Sequence, residues 1–71
     1  MFEEHFQALD DETMKLFLYD HLPAHLQPIS KQFHDLAQWM YKTLPVGEQR
    51  HDALKKLVES KDCAVRTTAR K

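Results

Sequence analysis

The sequence predicts an all-α fold: an antiparallel two-helix hairpin with a short N-terminal helical segment, assembling as a homo-oligomer. Three observations predict it. Apolar residues recur at helical spacing over two stretches, 28–44 and 48–68. One break, Pro45-Val46-Gly47, separates them, because proline cannot donate an amide and glycine turns freely. The apolar residues also exceed what one face of a small hairpin can cover, and that surplus points to self-assembly.

Residues 1–27 form the N-terminal segment of this single domain. Asp10-Asp11-Glu12-Thr13 reads as a helix start, with an aspartate cap and acids in the first turn. The run Met14-Lys15-Leu16-Phe17-Leu18-Tyr19 is apolar enough to pack against the hairpin. Pro23 and Pro28 follow; each suits a first helical position and disfavours helix just before it. The expectation is one turn at 23–27, then a long helix.

The first long helix spans 28–44. Ile29, Phe33, Leu36, Ala37, Met40 and Leu44 trace one face of it, with Trp39 and Tyr41 to either side. The second spans 48–68. Leu54, Leu57, Val58, Lys61, Ala64, Val65 and Thr68 recur at steps of three and one. The short turn between the two makes them antiparallel neighbours. Toward its end the second stripe thins to small residues and one lysine, which permits close approach of another backbone or a ligand.

With 71 residues the chain is one domain and marginal without staples or partners. A lone Cys63 allows no internal disulfide and suits a reducing compartment. No run approaches the roughly 18 apolar residues of a membrane span, and the acidic start Met1-Phe2-Glu3-Glu4-His5 lacks the features of a signal peptide. The expected location is the cytosol. The net charge of -1 hides a gradient. Residues 1–27 carry six acids against Lys15; residues 47–71 carry seven bases against four acids. That balance argues against binding of a nucleic acid polymer, which wants a strongly basic face.

Catalytic groupings are absent from the pattern. His21 and His25 are four apart but straddle Pro23, and no second ligand set completes a metal site. Cys63 and His51 lie about 18 Å apart along one helix. Gly47 is the only glycine, so no glycine-rich phosphate loop exists. The reading is a protein with no catalytic residue, metal or cofactor. A different set is more suggestive: Tyr19, His21, Lys31, His34, Trp39, Arg66 and Arg70 mix aromatic planes with cations. Such planes stack on nucleobases. Guanidiniums and hydroxyls such as those of Arg66-Thr67-Thr68-Ala69-Arg70 hold phosphates.

The turn and second helix, Thr43-Leu44-Pro45, Glu48, Ala53-Leu54, Leu57, Lys61, Ala64 and Arg66 to Arg70, resemble small phage-encoded helical-hairpin proteins. Upstream, Tyr19-Asp20-His21-Leu22-Pro23 is similar to a Tyr-His-Pro element before the first helix in some of them. The chain thus resembles the hairpin domain shared by anti-CBASS and anti-Thoeris phage sponges, over about residues 19–71. The resemblance implies a homo-oligomer, a hexamer in that family, that sequesters cyclic di- or trinucleotide immune signals in the host bacterial cytosol without cleaving them. It implies Tyr19 stacking on a base, with His21 in the same element, and Lys31 reaching a phosphate. Arg66, Thr67 and Arg70 would hold phosphates at a second kind of site. Tyr19 and Lys31 are 12 residues apart with prolines between them, a departure from the family's pattern. The alternative is a small homo-oligomeric adaptor whose exposed aromatics dock a partner helix. A DNA-binding regulator is the third reading.

Overall fold

A computed structural model describes the backbone of residues 2–69 and is all-helical, with no strand among them. Helix α1 spans Phe2–Met14 and runs into a short 3-10 turn at Lys15–Phe17. Helix α2 spans Gln27–Thr43 and α3 spans Glu48–Ala69. All three pack together into a body of 45 × 18 × 17 Å. None of the described helices is long and apolar enough to cross a membrane.

Local chemistry sets the ends of the long helices. Pro28 sits in the first turn of α2, where a missing amide costs nothing. The Gln27 side chain donates back to the Leu22 carbonyl at 2.8 Å and ties the 18–26 connection to the helix. At the far end, Leu44 is extended (ψ 143°) because it precedes Pro45, and its amide closes on the Met40 carbonyl at 2.9 Å. The Gly47 carbonyl then accepts from His51 at 3.1 Å and starts α3, with Glu48 in the favourable first turn.

The core is small. Phe17, Ala37 and Leu54 are fully buried, and Met14, Phe33, Met40, Leu57 and Val58 pack around them. Two expectations change here. Leu36, placed on the inner stripe by spacing, is 46% exposed; the inward row is Leu26, Ser30, Phe33, Ala37 and Met40, one step round the helix. Asp10-Asp11-Glu12-Thr13 does not start a helix but lies in the last turns of α1, whose first turn holds Glu3 and Glu4.

The reason is the inward face of α1. Asp10 and Thr13 are buried, Phe6 is partly so, and Phe17 follows four residues on. Two polar residues on that face hide the helical period from a hydrophobicity count. Thr13 satisfies its hydroxyl on the Leu9 carbonyl at 2.9 Å. Asp10 is fully buried and meets Arg50, only 4% exposed, at 2.6 Å. The carboxylate's second oxygen takes His51 Nδ1 at 3.0 Å. Arg50 also donates to the Tyr41 carbonyl at 2.9 Å and to Gln7 at 3.1 Å, and lies 4.7 Å above the Tyr41 ring. The Tyr41 hydroxyl donates to Asp11, which holds its pKa above the usual tyrosine value. Thus α1 is bound to the start of α3 and the end of α2 by one polar network.

Lys61 fixes the other end of that strap. Its Nζ donates to the Leu16 carbonyl at 2.5 Å, an acceptor left open where the 3-10 turn ends. This explains a lysine in an apolar stripe: its stem lies against the core and its head caps a backbone. With so little core, each buried side chain matters. Leu54→Ala is expected to cost about 2–5 kcal/mol, a large part of a small domain's stability. Urea unfolding followed by circular dichroism checks this; a loss under about 1 kcal/mol would contradict the packing described.

Candidate functional site

Functional candidates gather at the end of the molecule away from the Pro45–Gly47 turn, where the 18–26 connection meets the start of α2 and the last turns of α3. The connection is built from two backbone turns, Leu22 on Tyr19 at 3.0 Å and Leu26 on Pro23 at 2.9 Å. These turns place Tyr19 beside α2. Its ring stands edge-on to His34 with centroids 5.3 Å apart.

Lys31 and Asp35, one helical turn apart, form an exposed ion pair at 2.8 Å, and His34 Nδ1 lies 3.2 Å from the other Asp35 oxygen. The hydrogen bond to Asp35 raises the Lys31 pKa. The bond from Lys31, then that from His34, lowers the Asp35 pKa. Exposed pairs of this kind are weak. Lys31 can therefore exchange Asp35 for another anion at little cost.

The second set lies on α3. Arg66 is exposed, and its hydrogen bond goes to Cys63 Sγ at 3.4 Å. The Thr67 hydroxyl bonds back to the Ala64 carbonyl of its own helix at 2.7 Å. Between α2 and α3 Arg66 borders a cleft of about 190 Å³ with Leu22, Ser30, Lys61, Asp62 and Val65. Within it Ser30 is fully buried and its hydroxyl has no hydrogen-bond partner. A buried, unpaired hydroxyl ordinarily costs about 1–3 kcal/mol.

Of the residues singled out in sequence, the structure brings Tyr19, Lys31 and His34 together and places Arg66 and Thr67 on the neighbouring helix end. No hydrogen bond or ion pair joins the two sets among the described residues. His21 is exposed in the connection. Trp39 is 57% exposed on α2, one turn from exposed Leu36. Arg70 lies outside the described residues. Sequence reasoning missed Ser30 and Asp62. The buried hydroxyl of Ser30 has no marker in the sequence beyond a serine at the inward spacing of α2, four residues after Leu26 and three before Phe33.

Among the described residues no three His, Cys, Asp or Glu side chains are grouped to hold a metal ion. Comparison with known protein families, characterised proteins and solved structures gave no match.

The ion pair at this end has a titratable signature. Asp35 is depressed in the folded chain, so its contribution is present above the ordinary carboxylate value near 3.9 and is lost as pH falls through the lower folded value. Lys31→Ala is expected to move the Asp35 midpoint up toward the ordinary value. A side-chain carboxyl NMR titration reads this directly, and an unmoved midpoint would remove Lys31 as the main cause.

Proposed function

We propose that this protein is a non-catalytic binding protein of phage type that captures a cyclic di- or trinucleotide signal in the bacterial cytosol. The observation that carries the reading is the Tyr19 ring edge-on to His34, which shares Asp35 with the Lys31 ammonium. An aromatic plane next to a replaceable cation offers one face for a base and one charge for a phosphate. Arg66 and Thr67 supply further donors on α3, with Arg70 in the same stretch of sequence. The resemblance of residues 19–71 to helical-hairpin sponges supports the same assignment.

Sequestration needs binding alone. A ligand held at nanomolar affinity gains about 12 kcal/mol and is withdrawn from its receptor. In this reading α2 and α3 act as an antiparallel hairpin, and copies assemble as a homo-oligomer, a hexamer by resemblance. Leu36, Trp39, Leu16 and Leu18, all more than 40% exposed, supply apolar surface for that assembly.

The same exposed surface favours a second reading, a homo-oligomeric adaptor that docks a helix of another protein through Trp39 and Leu36. Native mass spectrometry with a panel of cyclic di- and trinucleotides separates the two. The sponge predicts a defined oligomer that gains whole-number ligand masses without turnover. An assembly that takes up none of them would leave the adaptor. Calorimetry on Lys31→Ala and Arg66→Ala then tests the residues: each is expected to weaken a bound nucleotide about tenfold or more, with the oligomer intact. Unchanged affinity in both would sink the site assignment.

A further inference from the structure

We propose that the groove between the first turns of α1 and the Pro45–Gly47 turn docks a cationic amphipathic helix of another protein. This surface lies apart from the Tyr19 and Lys31 region and does not rest on the cyclic-nucleotide reading. Two depressions of about 420 and 460 Å³ meet there, with Val46 as a wall of both. Their surfaces are mostly apolar. Leu36 and Trp39 line neither of them, so the groove is distinct from the apolar face of α2.

Helix α1 sets the shape. Glu4, Gln7, Ala8 and Asp11 recur at steps of three, one and three, which makes one helical stripe, and all four line the same depression. Ala8 at the centre is small and exposed. How closely two helices approach depends on the side chains at their contact. Here a second helix can come close to α1 and lay an aliphatic side chain against Ala8 and Val46. Glu4 and Asp11 mark the two ends of the stripe, seven residues and about 10 Å apart. That is two helical turns, so basic side chains two turns apart on the docked helix each meet one carboxylate. Asp11 accepts Gln7 and Tyr41 on the same oxygen, Oδ1, and its side chain stays exposed.

Charge decides the occupant. Glu3 joins Glu4 and Asp11 on the α1 side, and Glu48 lies on the α3 side. The cation that borders the groove, Arg50, is 4% exposed and already paired with Asp10. Carboxylates on both sides of an apolar floor favour a partner with basic flanks and an apolar ridge, and they repel a phosphate. An amphipathic helix laid in a groove is the general form of such a partner. The α3 helix of a second copy fits less well, since Asp52 and Glu59 flank Lys55 and Lys56.

The test is an NMR titration of the full isotopically labelled chain with three synthetic helices of about 14 residues, or four turns. The first carries a leucine stripe flanked by lysines two turns apart. The second has glutamate for every lysine, and the third has serine for every leucine. Saturable shifts centred on the amides of residues 3–11 and 44–50 are expected with the first, and binding about tenfold weaker or worse with the other two. Ala8→Gln, at an exposed helical position that accepts a good helix former, is expected to weaken the leucine–lysine helix about tenfold by blocking close approach. Glu4→Gln is expected to weaken it several-fold and to flatten its dependence on salt. Equal binding of the glutamate helix, shifts centred on Leu36 and Trp39 instead, or full affinity in both variants would overturn the proposal. So would shifts at residues 3–11 and 44–50 when the chain alone is diluted, which assign the groove to a second copy. Binding of n-butylammonium as tight as that of the leucine–lysine helix would overturn it too, in favour of a small organic cation.

Discussion

Arg50 organises the molecule. It is a charged side chain in the first turn of α3, a position where a cation gains nothing from the helix dipole, and it is almost wholly buried. Burial of that charge is tolerable only because Asp10 meets it and the Tyr41 carbonyl and Gln7 take its remaining donors. These partners come from α1 and α2. One guanidinium therefore specifies how three helices meet, in a chain whose fully buried apolar core is Phe17, Ala37 and Leu54. A buried ion pair adds little net stability over an apolar pair, but loss of either partner leaves a charge stranded. The network acts chiefly as a register pin for α1.

The pin and the candidate site occupy opposite ends of a 45 Å body. Near the turn, Gln7, Asp10, Tyr41, Arg50 and His51 are spent on one another. At the far end, among the described residues, Arg66 holds only a sulfur contact, Lys31 holds an exposed carboxylate, and the Ser30 hydroxyl has no hydrogen-bond partner. The Lys61 cap on the 3-10 turn connects the two regions, since it ends the α1 strap and borders the cleft.

Much of the architecture was legible from spacing. Helices expected at 28–44 and 48–68 lie at Gln27–Thr43 and Glu48–Ala69, because Pro28, Pro45 and Gly47 act locally and leave little choice. The first helix was not legible. Its inner face carries Asp10 and Thr13, and a hydrophobicity pattern cannot distinguish a buried aspartate from a capping one without knowing that Arg50 waits 40 residues later. Leu36 failed by one step of rotation, because Ser30 and not an apolar residue occupies the inward row. At the candidate site, Tyr19, Lys31 and Arg66 were named from residue type, whereas Ser30 and Asp62 became visible only through burial and juxtaposition.

The claim that Asp10 and Arg50 together pin α1 is tested most directly by a double-mutant cycle on that pair, with the amide hydrogen exchange of residues 6–14 as readout. Asp10→Asn and Arg50→Gln alone should each lower stability by about 3–5 kcal/mol and release the α1 amides to fast exchange. The double variant should cost clearly less than the two together, since no charge is then stranded. Additive losses, or α1 amides that stay protected when Arg50 is replaced, would contradict the account.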